Sequence, residues 1–302
     1  MRLDDKALLI GLALIFGIMS VFGIAVKAGT ELAEINSAPA VIPPKFEIAH
    51  ILLAKSAVVY DIIENKFIFD LNADAPLPAA SLTKLMTAYV ANKILNPKEE
   101  IIISRENLLP EGDSGLTIGE RFLPPQLTTI ALVASSNDAA MALGFSASTK
   151  NGKNSFGAIM NKEAESLRLS NTFFINETGL DVSKTTSGSY TSARDIALLI
   201  RTILEKAPNL LEQTRNANIS VKSNSGTTHN FSNTNKTVSS ISGILASKTG
   251  LTDLAGGNLA VVYEAGPGRP VIVVALGSTE EGRFSDVKNL IDGYYNYLAQ
   301  IQ

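Results

Sequence analysis

The chain has no cysteine and only two histidines among its 302 residues. Without cysteine it can form no disulfide, offer no thiolate nucleophile and build no zinc site on sulfur. His50 and His229 lie about 180 positions apart, which argues against a histidine metal cluster and against a Ser-His-Asp triad. His50 precedes the first strand-like run, and His229 sits between Thr228 and Asn230 in a polar hairpin region. Both read as structural. An excess of positive charge is also missing: 26 basic residues face 29 acidic ones, a net charge of −3. No basic field for nucleic acid follows from that balance. Internal repeats and low-complexity tracts are absent from the sequence as well. The length and a hydrophobic share of 45% suffice for one large domain or two modest ones.

What the chain does have is one long apolar run. Arg2 and Lys6 precede twenty uncharged residues, Ala7 to Val26. At about 1.5 Å per residue such a helix crosses a hydrocarbon core of about 30 Å. The core of a signal peptide is usually shorter, about 7 to 15 residues. A cleavage site at Val26-Lys27-Ala28 is conceivable, with Lys27 an unfavourable neighbour. An uncleaved anchor is the favoured reading and a cleaved signal the alternative. Both export the rest of the chain, and the anchor would hold it at the extracytoplasmic face of a bacterial cell membrane. The expected division is 1–28 as anchor or signal, 29–49 as linker and 50–302 as the working domain. Asn36-Ser37-Ala38-Pro39 and Pro43-Pro44 mark the linker.

Beyond the linker, residues 57–71 read as two strands about a turn at Glu64-Asn65. The apolar stripe Leu82, Leu85, Met86, Tyr89, Val90 and Ile94 predicts a helix packed in a core. Helices are expected over 124–133, 138–143, 154–168 and 192–206, the last with Thr191 as N-cap. The Arg194-Asp195 pair at its start reads as structural. Five strands are expected over 217–222, 227–231, 243–248, 257–265 and 270–277, then a final helix over 284–300. Strands following one another through short turns argue for an antiparallel sheet. Helices at both ends, with a helical insertion between, predict an α/β sandwich plus an all-helical lobe.

Three short motifs stand in order on this frame: Ser81-Leu82-Thr83-Lys84, Ser135-Ser136-Asn137 and Lys248-Thr249-Gly250. The first puts a hydroxyl and an amine on one helix face, at i and i+3. Ser81 is inert at neutral pH without a base, and Lys84 can serve only when it is neutral. Burial and the second cation, Lys248, both push its pKa down. Ser135 can relay a proton to a leaving amine and so link Lys84 with Lys248. Asn137 can hold a substrate amide. Lys248 and Thr249 can receive a terminal carboxylate. Gly250 leaves room for a substrate strand to pair with the sheet edge. No metal and no cofactor is called for by this set.

In order, spacing and flanking text, residues 45–300 resemble the serine D-alanyl-D-alanine carboxypeptidases, the low-molecular-mass penicillin-binding proteins. The stretches that carry the likeness are Pro78 to Val90, Ser104 to Arg121, Val133 to Met141, Asn171 to Asp181, Tyr190 to Leu199 and Ser247 to Gly257. Ser136 stands where a glycine is often found, and the chain stops where many members continue into a β-rich domain. The resemblance implies a β-lactamase/transpeptidase-like fold: an antiparallel five-stranded sheet flanked by helices, plus the helical lobe. It implies an oxyanion hole at the backbone N–H groups of Ser81 and Leu251, and a role for Arg283 in recognising the substrate carboxylate. For Arg283 a solvated position at a helix start is the alternative.

The implied reaction removes the terminal D-Ala of a peptidoglycan stem peptide through an acyl-enzyme on Ser81, with β-lactams as inhibitors. A D,D-endopeptidase of peptidoglycan cross-links would use the same residues. A class A β-lactamase fits less well: its glutamate lies in an E-x-x-L-N motif, whereas this chain reads Asn176-Glu177-Thr178-Gly179-Leu180-Asp181. An inactive wall-binding scaffold is at odds with three intact motifs.

Overall fold

The computed structural model describes residues 44–108, 114–152 and 154–301. The apolar run 7–26 and the linker as far as Pro43 lie outside them, as do residues 109–113 within the stretch from Ser104 to Arg121. Among the described residues no helix is long and apolar enough to cross a membrane. The compact unit begins at Pro44, before the expected boundary at 50. Lys45 N–H donates to Gln300 Oε1 (2.9 Å) and Ala49 N–H to Asn289 Oδ1 (3.0 Å), so residues 44–49 are already tied to the final helix.

At the centre is a five-stranded sheet of β1 (Ser56–Asp61), β2 (Lys66–Leu71), β5 (Ile244–Thr252), β6 (Gly256–Glu264) and β7 (Pro270–Ser278). Its order is β5-β6-β7-β1-β2, and every neighbouring pair is antiparallel. The remaining two strands expected in the C-terminal third, β3 (Asn218–Lys222) and β4 (Thr228–Ser232), form a separate hairpin. The period of two along each strand sorts side chains to opposite faces. In β7, Val271, Val273 and Ala275 pack towards the final helix, and Ile272, Val274 and Leu276 towards the helical lobe. Covered on both faces, β1, β6 and β7 are nearly continuous apolar runs.

The helices are α1 (Thr83–Ile94), α2 (Pro124–Val133), α3 (Asn137–Lys150), α4 (Phe156–Ser166), α5 (Ala193–Lys206) and α6 (Gly282–Ala299). Of the stripe read for α1, Leu82, Leu85, Met86, Tyr89 and Val90 are all buried. Helix α5 is capped by Ser192, whose Oγ accepts from Asp195 N–H (3.1 Å), and not by Thr191. Thr191 is claimed by a short strand, Ser189–Thr191, that pairs with Leu77–Pro78. Either hydroxyl could cap a helix; the strand pairing decides between them. His229 of β4 lies between the rings of Phe122 and Phe231, with Nε2 2.9 Å from Glu120 Oε1.

Candidate active site

The nucleophile candidate sits in a strained turn. Ser81 lies in a 3-10 segment, Ala80–Leu82, that feeds α1. Ala80 has φ +48°, a left-handed conformation that costs a residue with a Cβ about 1–2 kcal/mol. The Thr83 hydroxyl donates to Ala80 O (2.7 Å) and helps hold the turn. Near-eclipsing of i and i+3 in a 3-10 turn carries Lys84 back under Ser81. The Lys84 ammonium donates to Ser81 Oγ, Asn137 Oδ1 and Thr178 O, each at 2.8 Å.

These three partners serve both protonation states. As an ammonium, Lys84 has three N–H groups for three acceptors. As a neutral amine it keeps two N–H groups for Asn137 and Thr178, which can only accept at these atoms. Its lone pair is then left for the Ser81 hydroxyl. Lys84 is 0% exposed, and burial pushes its pKa down to about 7, against the opposing pull of the Glu177 carboxylate. The expected contribution of Lys248 to this shift is not what lowers it; burial is. Glu177 is itself half-buried, and burial pushes its carboxyl up while the charge of Lys84 pulls it down.

The second motif turns the corner between α2 and α3. Ser135 has φ +59°, and Ser136 caps α3, its Oγ accepting from Ala139 N–H (3.1 Å). The side chain at the variable middle position therefore has a structural job. Its Oγ also lies 2.6 Å from Ser114 Oγ, which donates to Asp138 Oδ2 (3.1 Å). Helix α3 begins at Asn137 and runs to Lys150, well past the expected end at 143. Asn137 gives its carbonyl oxygen to Lys84.

The third motif lies inside β5 rather than at its end, because the strand continues to Thr252. Lys248 donates to Ser135 Oγ (2.8 Å) and Thr249 O (2.9 Å). Its pKa is lowered by burial first, then by the charges of Lys84 and Arg283. Ser135 is thus joined to Lys248, while the Lys84 amine is occupied by Ser81, Asn137 and Thr178. Thr249 Oγ1 meets Thr234 Oγ1 at 2.6 Å, a neighbour the sequence did not single out. A Cβ on Gly250 would stand 2.9 Å from Ala79 O and 3.3 Å from Ser81 N. The glycine is therefore needed so that the nucleophile's own turn can approach the strand; the reason expected was room for a substrate strand. The backbone of Gly250 accordingly runs beside that of Ser81.

Arg283, at the start of α6, is not solvated: it is 4% exposed and donates to Gly250 O (2.8 Å). Its Nε has no partner among the described residues. Also among the described residues, no group of His, Cys, Asp and Glu could hold a metal ion.

Residues 44–280 match the family model described as D-alanyl-D-alanine carboxypeptidase. The chain is 29% identical over 252 residues to D-alanyl-D-alanine carboxypeptidase DacF of Bacillus subtilis, across 82% of this chain and 62% of that protein. It is 32% identical over 227 residues to the D-alanyl-D-alanine endopeptidase of Escherichia coli, across 73% of this chain and 70% of that protein. Penicillin-binding protein D2 of Listeria monocytogenes, solved in its ampicillin-bound form, superposes with a TM-score of 0.69 at 29% identity. That match covers 80% of this chain and 97% of the other. The chain spans 62% of the length of the curated carboxypeptidases DacF and DacA.

If Lys84 is the base, its neutral fraction sets the rate of attack by Ser81. With a pKa of about 7, acylation should fall about tenfold per pH unit below neutrality and level off above about pH 8. Lys84→Arg cannot release a proton and should abolish acylation, while Lys248→Arg should lose less. Stopped-flow acylation against pH, with circular dichroism as the folding control, checks this. A flat profile from pH 5 to 9, or a Lys84→Arg variant near the wild-type rate, would exclude Lys84 as base.

Proposed function

Because the chain belongs to the D-alanyl-D-alanine carboxypeptidase family, we propose that it is a serine D,D-carboxypeptidase acting on peptidoglycan stem peptides. The observation that carries this reading is the buried Lys84 amine 2.8 Å from the Ser81 hydroxyl. Ser81 Oγ attacks the carbonyl carbon of the penultimate D-Ala as its proton passes to Lys84. The N–H groups of Ser81 and Leu251 meet the developing oxyanion, donors typically worth about 3 kcal/mol of barrier each. As the C–N bond breaks, the proton goes to the departing D-Ala amine with Ser135 as relay. Water then attacks the ester, Lys84 takes its proton, and Ser81 is restored. Lys248 and Thr249, with Arg283 behind Gly250, would suit a free carboxylate and favour removal of a terminal residue. β-Lactams acylate Ser81 in the same way, with no leaving group lost.

An endopeptidase is the second reading, supported by the 32% identity to the Escherichia coli enzyme. Labelled penicillin should attach to the wild-type protein and not to Ser81→Ala. Incubated with a pentapeptide and with a cross-linked dimer, the enzyme should release D-Ala faster than it splits the dimer. Faster splitting establishes the endopeptidase, and an adduct mapped to Ser135 removes Ser81 from its role.

The substrate lies outside the cytoplasm, and the apolar run 7–26 would hold the domain at the outer face of the membrane. The protein should then sediment with membranes and retain Met1 or Arg2. A mature N-terminus near Gly29 in the soluble fraction would make the run a cleaved signal instead.

A further inference from the structure

Asn258 is a fully buried polar side chain in the middle of β6, and no step of the reaction above uses it. It stands directly opposite Gly250 in the β5–β6 register. On its other side the ladder is irregular. Gly257 pairs with Ser278 and Leu259 with Ala275, so two residues of β7, Leu276 and Gly277, face Asn258 alone. Gly277 has φ +68°. One extra residue with a left-handed glycine is a β-bulge, a feature that re-aims side chains beside active sites.

The bulge leaves Gly277 N–H to be satisfied by a side chain, and it donates to Asn258 Oδ1 (2.7 Å). The amide nitrogen of Asn258 then points the other way and donates to Pro78 O (3.0 Å) and Ala79 O (3.1 Å). The orientation of this amide is fixed by its partners: two carbonyls can only accept and one N–H can only donate. All three bonds are made in a site sealed from water, where an unmade one is costly. Alternation along β6 puts Asn258 on the same face as Ala260 and Val262, the face that meets the helical lobe.

Ala79 is two residues before Ser81, and Gly250 is one residue before Leu251. Asn258 is bonded to the first segment and in register with the second. We infer that Asn258 is a positioning residue that sets the distance between the two oxyanion donors, Ser81 N–H and Leu251 N–H, by bracing the nucleophile's turn against the bulged sheet. Ala79 O shows how tightly the brace is drawn. It accepts from Asn258, accepts from Leu82 N–H (3.2 Å), and lies 2.9 Å from where a Cβ of Gly250 would be. The turn carries a left-handed alanine, and strain of that kind persists only where the surroundings over-determine it. Donors of an oxyanion hole act within about 2.7–3.1 Å of the oxygen they stabilise, and a 1 Å misplacement can cost about 100-fold in rate.

This inference rests on acyl transfer at Ser81, and the test separates the two. Asn258→Asp keeps the size and the acceptor for Gly277 N–H but replaces both donors. Asn258→Ala removes the whole brace and serves as the harsher variant. Acylation by a chromogenic cephalosporin should slow about 10- to 100-fold in its chemical step (k2), with the dissociation constant of the non-covalent complex within about threefold of wild type. Rates are normalised to the active fraction titrated with labelled penicillin. Backbone hydrogen exchange of the segment Ala79 to Leu82 should speed up in the free Asn258→Asp protein. A merely structural role would lower the melting temperature and leave k2 of the active fraction unchanged, which would overturn the inference. Unchanged exchange in that segment would overturn it too. A wild-type protein that β-lactams do not acylate sinks the proposed reaction instead, and hydrogen exchange still decides whether Asn258 holds the turn.

Discussion

The burial of one amine organises this domain. Lys84 is sealed beneath the nucleophile's turn, and an ammonium without water is costly unless its protons are matched. Two of its partners are recruited from elsewhere in the chain. Asn137 comes from the corner between α2 and α3, and Thr178 O from the loop that follows α4. The third is Ser81 itself. The charge of the Glu177 carboxylate favours the charged form and the dry surroundings the neutral form. With burial ahead, the amine is poised near neutrality, which is what a base working at physiological pH needs. The apolar stripe of α1 is therefore part of the chemistry, because it supplies the dryness.

Two strained residues flank this amine, Ala80 before the nucleophile and Ser135 at the corner. Each is followed by a device that steadies it. Thr83 and Asn258 hold the carbonyls of the first turn, and Ser136 caps the helix after the second. The sheet makes this possible, since β6 and β7 are buried on both faces and cannot shift without breaking two packed layers.

Much of this was legible in the sequence because the signals are local. The strand pattern placed the strands within a residue or two, apart from the end of β5, which runs four residues further to Thr252, and the i, i+3 spacing placed Lys84 under Ser81. What escaped depends on contacts far apart in the chain. Nothing near Gly250 reveals that its missing side chain makes room for Ala79, 171 positions earlier. Thr191 and Ser192 are equal as caps until a strand claims one of them. In the sequence a solvated helix start stays open as the alternative for Arg283, and only the fold buries it against Gly250 O. Thr178 takes part through a carbonyl, which every residue has, so no residue pattern could mark it. Asn258 was invisible for a further reason: its task is created by a bulge in the neighbouring strand.

Lys84 should be neutral for a large part of the time in the resting protein. Its amine can be titrated directly by NMR in protein carrying lysine labelled at Cε, with the resonance assigned by its loss in Lys84→Arg. The expected midpoint lies near pH 7. A midpoint near 10.4, the ordinary lysine value, would contradict it and leave Ser81 without its base.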